Sequence, residues 1–515
     1  MAAFEILAAA VAVVLAIYYY MTSTADFFAK RNIPYLEPTP FIGSSADALL
    51  SRRWRGKVWQ DWYNYAKTNG HKFLGVFLGR RPVLVVCDVD MVKTILVKDF
   101  QYVMDHGTFF DRQREPLTAN LFNLQAIYYR HILTTQGHEW KKLRGKLSPT
   151  FTSGKMKSMF YLVHACTDEL DRYLEAQVQK GGELEMAEVM AKFSTDVIGS
   201  CAFGVEANSL KDPDAEFRTM GRKVFEVGRI RAAAMMIAET LPWLRRVLPI
   251  PLVNPQVRDF FTRTFNENVE NREKNHIVRH DFIDLLIQMK NNKSAGNEGP
   301  DADIDEAILP AQAFVFFLAG FETSSAATST CLMELAYHPD IQEKMREEVD
   351  RVLAKHGGIT YESLQDMTYM EQCIEETMRL YPALAGLPRV VTRDYQLPGE
   401  SPKAVLPAGT RVIIPTYAIH CDPEFYPEPE RFDPDRFSEE NKRSRPHYAY
   451  LPFGEGPRIC IGLRFAMMQM KTSLAMIIKS YRVSPSPKSN YPLQFEPKSF
   501  VTRVMGGNCL KITKR

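Results

Sequence analysis

Ten residues, FGEGPRICIG from Phe453 to Gly462, set one cysteine among three glycines, an arginine and a proline, and run straight into LRFAMMQMKTSLAMIIKSY, a long helical pattern. A sulfur at the start of a helix feels the positive end of its dipole and nearby amide hydrogens, which favours thiolate over thiol. Gly456 and Gly462 flank Cys460 and, without Cβ atoms, let backbone approach a flat bound group. The chain must therefore fold so as to present this sulfur to a ligand, a metal above all, or else bury it in a glycine-rich turn. The glycine spacing lacks the GxGxxG order and the preceding strand of a dinucleotide site.

The other seven cysteines, at 87, 166, 201, 331, 373, 421 and 509, form no CxxC pair and no repeated short spacing. They point to neither a disulfide framework nor a zinc site, and read as small buried apolar residues in a reduced, cytosol-facing protein. Lysine plus arginine number 64 against 61 aspartate plus glutamate, a formal charge of +3. That balance gives no basis for nucleic-acid binding, and any basic function must be local. At 515 residues the chain can bury a large core.

From Ile6 to Ala25 twenty residues carry no charge. As a helix they span roughly 30 Å, the hydrocarbon thickness of a bilayer. Tyr18, Tyr19 and Tyr20 suit the interface, and Lys30, Arg31, Arg52 and Arg53 follow the run while only Glu5 precedes it, which places the remainder in the cytosol. A cleaved signal peptide would want basic residues in front, and there are none. Pro34, Pro38, Pro40 and Gly43 then make a stiff connector. A second apolar patch, LPWLRRVLPIPLVNP from Leu241 to Pro255, is either buried loop or a lipid contact.

Helical patterns dominate the middle of the chain, as in TDELDRYLEAQVQK and in HPDIQEKMREEVDRVLAKHG, which ends at Gly357 as a helix should. Strand signals are few: GVFLGRRPVLVVCDV reads as a hairpin, and RVVTRDYQLPG and TRVIIPTYAI as short strands. KNNKSAGNEGPDADID, from Lys290 to Asp305, is the most loop-like interior stretch. The fold class expected is mainly α with a minor β region, plus one N-terminal transmembrane helix.

The decapeptide resembles the haem-ligand signature of the cytochrome P-450 superfamily, F-x-x-G-x-x-x-C-x-G, and three further motifs stand in that family's order. AGFETS, from Ala319 to Ser324, lies inside an apolar helical run. Gly320 leaves room there, and the Thr323 hydroxyl can bond back to the carbonyl four residues earlier. EETMRLYP places Glu376 and Arg379 three apart on one helical face. WKKLR places Trp140 and Arg144 at i and i+4. The resemblance covers essentially the whole chain and is strongest to insect microsomal members that oxidise xenobiotics.

The resemblance implies the cytochrome P-450 fold, with an anchor at 1–25, the connector at 26–43 and one haem-thiolate catalytic domain at 44–515. It implies haem b (iron protoporphyrin IX) with Cys460 as the thiolate ligand, whose push of electron density favours O–O cleavage. Glu322 and Thr323 then match the catalytic acid–alcohol pair that handles protons. Trp140, Arg144, Arg389 and Arg458 become propionate partners, Phe453 packs beside the thiolate loop, and Arg431 completes a Glu376–Arg379–Arg431 network. Ala313, Phe316, Phe317, Leu384, Leu387 and Phe500 would line an apolar substrate pocket. The implied reaction inserts one oxygen atom of O2 into a lipophilic molecule, a xenobiotic or an endogenous lipid or hormone. Electrons come from NADPH through NADPH–cytochrome P-450 reductase, with cytochrome b5 a second partner, at the endoplasmic reticulum membrane. Lys141, Lys142 and Lys146 would form a basic face toward an acidic reductase. Two other functions share the cofactor, an isomerase or dehydratase of oxygenated lipids and a non-catalytic haem-binding protein.

One departure from the family pattern stands out. LFNL would be expected to run almost directly into GHEWKKLR, but QAIYYRHILTTQ intervenes. Residues 126–136 read as an insertion between a substrate loop and the propionate helix; if it only bulges outward, haem loading is unaffected, and His131 reads as a solvated loop histidine rather than a sixth iron ligand.

Overall fold

The computed structural model describes residues 2–107, 130–212, 214–225, 253–294, 308–499, 501–506 and 508–515. An apolar helix runs from Ala2 to Thr22, and its window Phe4–Thr22, of mean hydropathy 2.0, has no residue buried by the rest of the chain. It stops three residues short of the uncharged run because Thr22 and Ser23 turn their hydroxyls back onto the carbonyls of Tyr18 and Tyr20, at 2.8 and 2.9 Å. The helix end does not trail into a free tether. Arg80, in the turn of the expected hairpin, stacks 3.9 Å over the Tyr20 ring, donates to the Tyr20 carbonyl at 3.0 Å and reaches the Ser23 hydroxyl at 3.1 Å.

The connector is likewise tied to the body. Gly75 donates to the Pro34 carbonyl at 2.7 Å and accepts from the Leu36 amide at 2.9 Å, while Phe28 is fully buried edge-on to Phe77. Its prolines make no ladder themselves, so the sheet edge recruits the donors and acceptors between them.

The described strands are β1 (Phe73–Leu78), β2 (Arg81–Val86), β3 (Glu183–Glu185), β4 (Leu387–Val390), β5 (Tyr395–Gln396), β6 (Val405–Leu406), β7 (Arg411–Ile414), β8 (Tyr481–Pro485) and β9 (Cys509–Lys514). β1 and β2 form the expected hairpin, with Val76 opposite Val83. β7 joins β2 in parallel and β4 lies antiparallel to β7, giving the order β1-β2-β7-β4 and setting Arg389 opposite Val412. A second sheet, β3-β9-β8, has no counterpart among the sequence expectations. The sheet side and the helical side bury separate apolar cores.

The helical body is built round Leu309–Tyr337, 29 residues long and buried on nearly every side. Such an all-round apolar helix belongs in a core, and Pro310 in its first turn removes only a donor that would lack a partner anyway. It packs against Met186–Ile198 and against Leu463–Ser480, the helix that follows the cysteine loop. Pro339–His356 closes as its sequence predicts, with Gly357 at φ 76° and its amide on the Leu353 carbonyl. Of the Leu241–Pro255 patch, 241–252 lie outside the described residues, as do 295–305 of the loop-like stretch.

Candidate functional site

Cys460 lies two residues before Gly462, the N-cap of Leu463–Ser480, and its amide donates to the Phe453 carbonyl at 2.9 Å, closing the loop on itself. Burial raises the thiol pKa, and the Gly462 amide and the Arg144 guanidinium offset this only in part. The thiolate preference expected from the helix terminus is thus outweighed by desolvation, and a metal ion is needed to draw the proton off. Cys460 nevertheless keeps accessible surface. A sulfur both desolvated and accessible faces an internal space rather than bulk water.

The long central helix shows the same signature on one face. Ala319 is exposed and Leu318, Gly320 and Thr323 are half-buried in the middle of an otherwise buried helix. Thr323 donates to the Ala319 carbonyl at 2.7 Å, the back-bond its sequence predicts. Glu322, one residue earlier and about 100° round the helix, looks elsewhere. Its carboxylate accepts from Arg503 and lines a separate polar cavity of about 400 Å³ with Arg218, Arg222, Ser325 and Asn508.

The glycines act for reasons other than those expected. Gly456, at φ 73°, would place a Cβ 2.1 Å from the Leu96 carbonyl oxygen, so it serves a turn and a close backbone approach. A Cβ on Gly320 would meet Ile198 at 2.6 Å, so its small size admits the neighbouring helix and not a ligand. Gly462 alone is open, with only the Cys460 sulfur within 4.0 Å.

Three arginines from distant parts of the chain act electrostatically on this region. Arg144, half-buried on Gly137–Leu147, is coupled to Cys460. Arg389 on β4 is buried; its Nη1 contacts the His106 ring at 3.2 Å and the Pro388 carbonyl at 2.8 Å, and its Nε has no partner among the described residues. Arg458 donates to Asp105 at 3.1 Å and to the carbonyls of Met104, Ile132 and Thr135 at 3.1, 3.3 and 3.0 Å, and stacks 3.9 Å over Trp140. Burial holds Arg389 down to about 10 and Arg458 down to about 9, the latter offset only in part by Asp105 and pressed further by the neighbouring Arg389 and Arg144. Desolvated cations short of counter-charge call for an anion.

Glu376 and Arg379 are fully buried and paired in a fork, Nε to Oε2 at 2.6 Å and Nη2 to Oε1 at 2.8 Å. Arg431 does not bring its guanidinium to them. After a turn with Glu428 at φ 50°, its side chain points to solvent, 65% exposed, and only its carbonyl accepts from Arg379, at 3.3 Å. The second guanidinium beside Glu376 is that of Arg436, 10% exposed at 3.4 Å. The network extends through His420, which donates from Nδ1 to the Arg379 carbonyl at 3.1 Å and accepts the Leu451 amide on Nε2 at 2.8 Å, two residues from Phe453. Burial pushes His420 down to about 3, keeping it neutral and the Nε2 lone pair available.

The comparison with protein families completes the assignment: the cytochrome P450 model matches residues 34–508. The chain belongs to the cytochrome P450 family. This P450 is 40% identical to cytochrome P450 6a8 of Drosophila melanogaster over 508 residues, covering 98% of this chain and 97% of that one. It is 40% identical to cytochrome P450 6a2 of the same fly, covering 95% of each chain. To cytochrome P450 6j1 of Blattella germanica it is 37% identical, covering 99% of this chain and 97% of that one. The P450 is accordingly a haem-thiolate monooxygenase.

The residues present fit a haem. The accessible sulfur supplies the soft anionic ligand, and the under-neutralised Arg389, with Arg144, supplies cations for two carboxylates. The substrate residues divide. Leu384 is half-buried, but Leu387 is buried and Ala313 and Phe317 keep no accessible surface, Phe317 stacking on Phe321 at 5.5 Å. Phe316 is wedged between Phe151 and Phe282, and Phe500 lies outside the described residues. On the same helix it is Leu318, half-buried, and Ala319, exposed, that keep accessible surface. Arg436, Asp105, His420 and Arg503 carried no local sequence signal, since their partners lie tens to hundreds of residues away.

Proposed function

We propose that this P450 is a microsomal monooxygenase of lipophilic small molecules, xenobiotics or endogenous lipids, supplied with NADPH electrons by a membrane-bound reductase. The anchor at 1–25, the connector at 26–43 and the single catalytic domain at 44–515 form its working unit. The observation that carries the reading is the desolvated yet accessible Cys460 sulfur, together with the buried Arg389, whose Nε has no partner among the described residues.

When bound, the haem supplies the activation of dioxygen and the transfer of one oxygen atom to substrate. Cys460 holds the metal from a loop fixed by its amide bond to Phe453. Arg389 and Arg144, with Trp140 and Arg458 behind them, orient the cofactor's carboxylates. Thr323 holds a proton at Oγ1, lent to the Ala319 carbonyl and available to the space beyond. Glu322 exchanges protons with the polar cavity it lines. Leu318 and Leu384, with the buried Leu387 beside Leu384, present apolar surface that favours lipophilic ligands and excludes water.

Lys141 is exposed on Gly137–Leu147, with Lys142 and Lys146 half-buried beside it, a basic surface for the reductase or cytochrome b5. Lys30, Arg31, Arg52 and Arg53 after the anchor favour a cytosolic body on the endoplasmic reticulum.

Turnover of a lipophilic substrate should need both NADPH and reductase, and product formed without either would favour the isomerase reading. In the same assay Thr323→Ala is expected to keep NADPH consumption within about threefold while shifting most electrons to hydrogen peroxide, as loss of a single proton-handling group typically costs about 10²-fold or more in the step it serves. Coupling equal to that of the parent enzyme would remove Thr323 from the proton path.

A further inference from the structure

Residues 130–136, the described part of the insertion, pack into the body with Leu133 alone exposed. His131 and Ile132 are buried, as are Thr134 and Thr135. The segment is also bonded at both ends to different walls of the site. At one end Gln312, fully buried on the central helix, accepts the Ile132 amide on Oε1 at 3.0 Å and donates from Nε2 to the Arg130 carbonyl at 2.9 Å. At the other end Arg458, two residues before the ligand cysteine, donates to the carbonyls of Ile132 and Thr135 at 3.3 and 3.0 Å.

These two attachments stand on the faces that matter. Gln312 precedes Ala319 by seven residues, two helical turns, and therefore shares the face on which Ala319 and Thr323 keep their accessible surface. Arg458 belongs to the loop that presents Cys460, and all three of its nitrogens are engaged by protein oxygens. Arg389, by contrast, retains a buried Nε without a partner among the described residues. The two arginines are thus unequal. One is committed to holding a segment of chain, the other is short of an anion.

We infer that residues 130–135 form a latch joining the central helix to the cysteine loop across one edge of the cofactor space, with Gln312 as its catch and Arg458 as its hinge post. Its release governs passage of the haem in and out. Gln312 and Arg458 are positioning residues in this scheme, while Arg389 is the principal cation for the cofactor carboxylates. The inference rests on the haem-binding reading given above.

The test uses full-length haem-loaded protein in lipid nanodiscs and follows transfer of haem to excess apomyoglobin, with hydrogen exchange at the Ile132 amide as the second readout. Gln312→Ala removes both catch bonds, to the buried Ile132 amide and to the half-buried Arg130 carbonyl. It is expected to speed haem release and Ile132 exchange by about tenfold or more. If that variant does not accumulate, Gln312→Glu keeps the acceptor for the Ile132 amide but loses the donor to Arg130, and is expected to speed both several-fold. Haem release within about twofold of the parent, in whichever variant is obtained, overturns the latch. Failure of the parent chain itself to retain haem would instead overturn the haem-binding reading.

Discussion

Replacing Cys460 by serine is expected to abolish the strongly red-shifted Soret band that the reduced, carbon monoxide-treated protein shows, and to bring monooxygenase turnover to background. An alcohol two residues before a helix N-cap cannot ionise as a thiol does once a metal draws off its proton, and oxygen is a harder donor than sulfur. The fold itself should survive. The loop is closed by the residue 460 amide on the Phe453 carbonyl, a bond the substitution leaves alone. Far-ultraviolet circular dichroism should match the parent while the band disappears. A variant retaining the band would show that another residue ligates the iron.

The second large effect is on folding. Arg379→Ala or Glu376→Ala leaves a fully desolvated charge without its partner, which typically costs about 3 to 5 kcal/mol. Against a total stability of about 5 to 15 kcal/mol that is enough to prevent accumulation of haem-loaded protein. Arg431→Ala, in contrast, removes an exposed guanidinium and should change stability by no more than about 0.5 kcal/mol. Urea unfolding of the three variants side by side distinguishes the observed pairing from the expected one. Equal losses for Arg431 and Arg379 would contradict the placement of Arg436 beside Glu376.

What the sequence disclosed were features whose physics is local. The apolar periodicity of Leu309–Tyr337, the Gly357 stop and the Val76–Val83 hairpin each follow from residues within one element. The Thr323 back-bond follows from helical spacing alone. Partners chosen by tertiary packing were not legible. Arg436 and Arg431 are five apart in one arginine-rich segment, and only the turn at Glu428 decides which of them turns inward. β3 and β9, Glu183–Glu185 against Cys509–Lys514, pair across more than three hundred residues, and a Glu-Leu-Glu triplet announces no strand by itself. The glycines show the limit most plainly. A missing Cβ at 320 or 456 declares that something comes close, yet only the fold reveals Ile198 in one case and the Leu96 carbonyl in the other.

The grip of Arg80 on Tyr20 and Ser23 couples the N-terminal helix to the β1–β2 hairpin. The hydrogen-bonded path from that hairpin runs across β2 and β7 to β4, whose second-to-last residue is Arg389. Any displacement of the N-terminal helix would therefore be applied to the same sheet that carries this buried guanidinium.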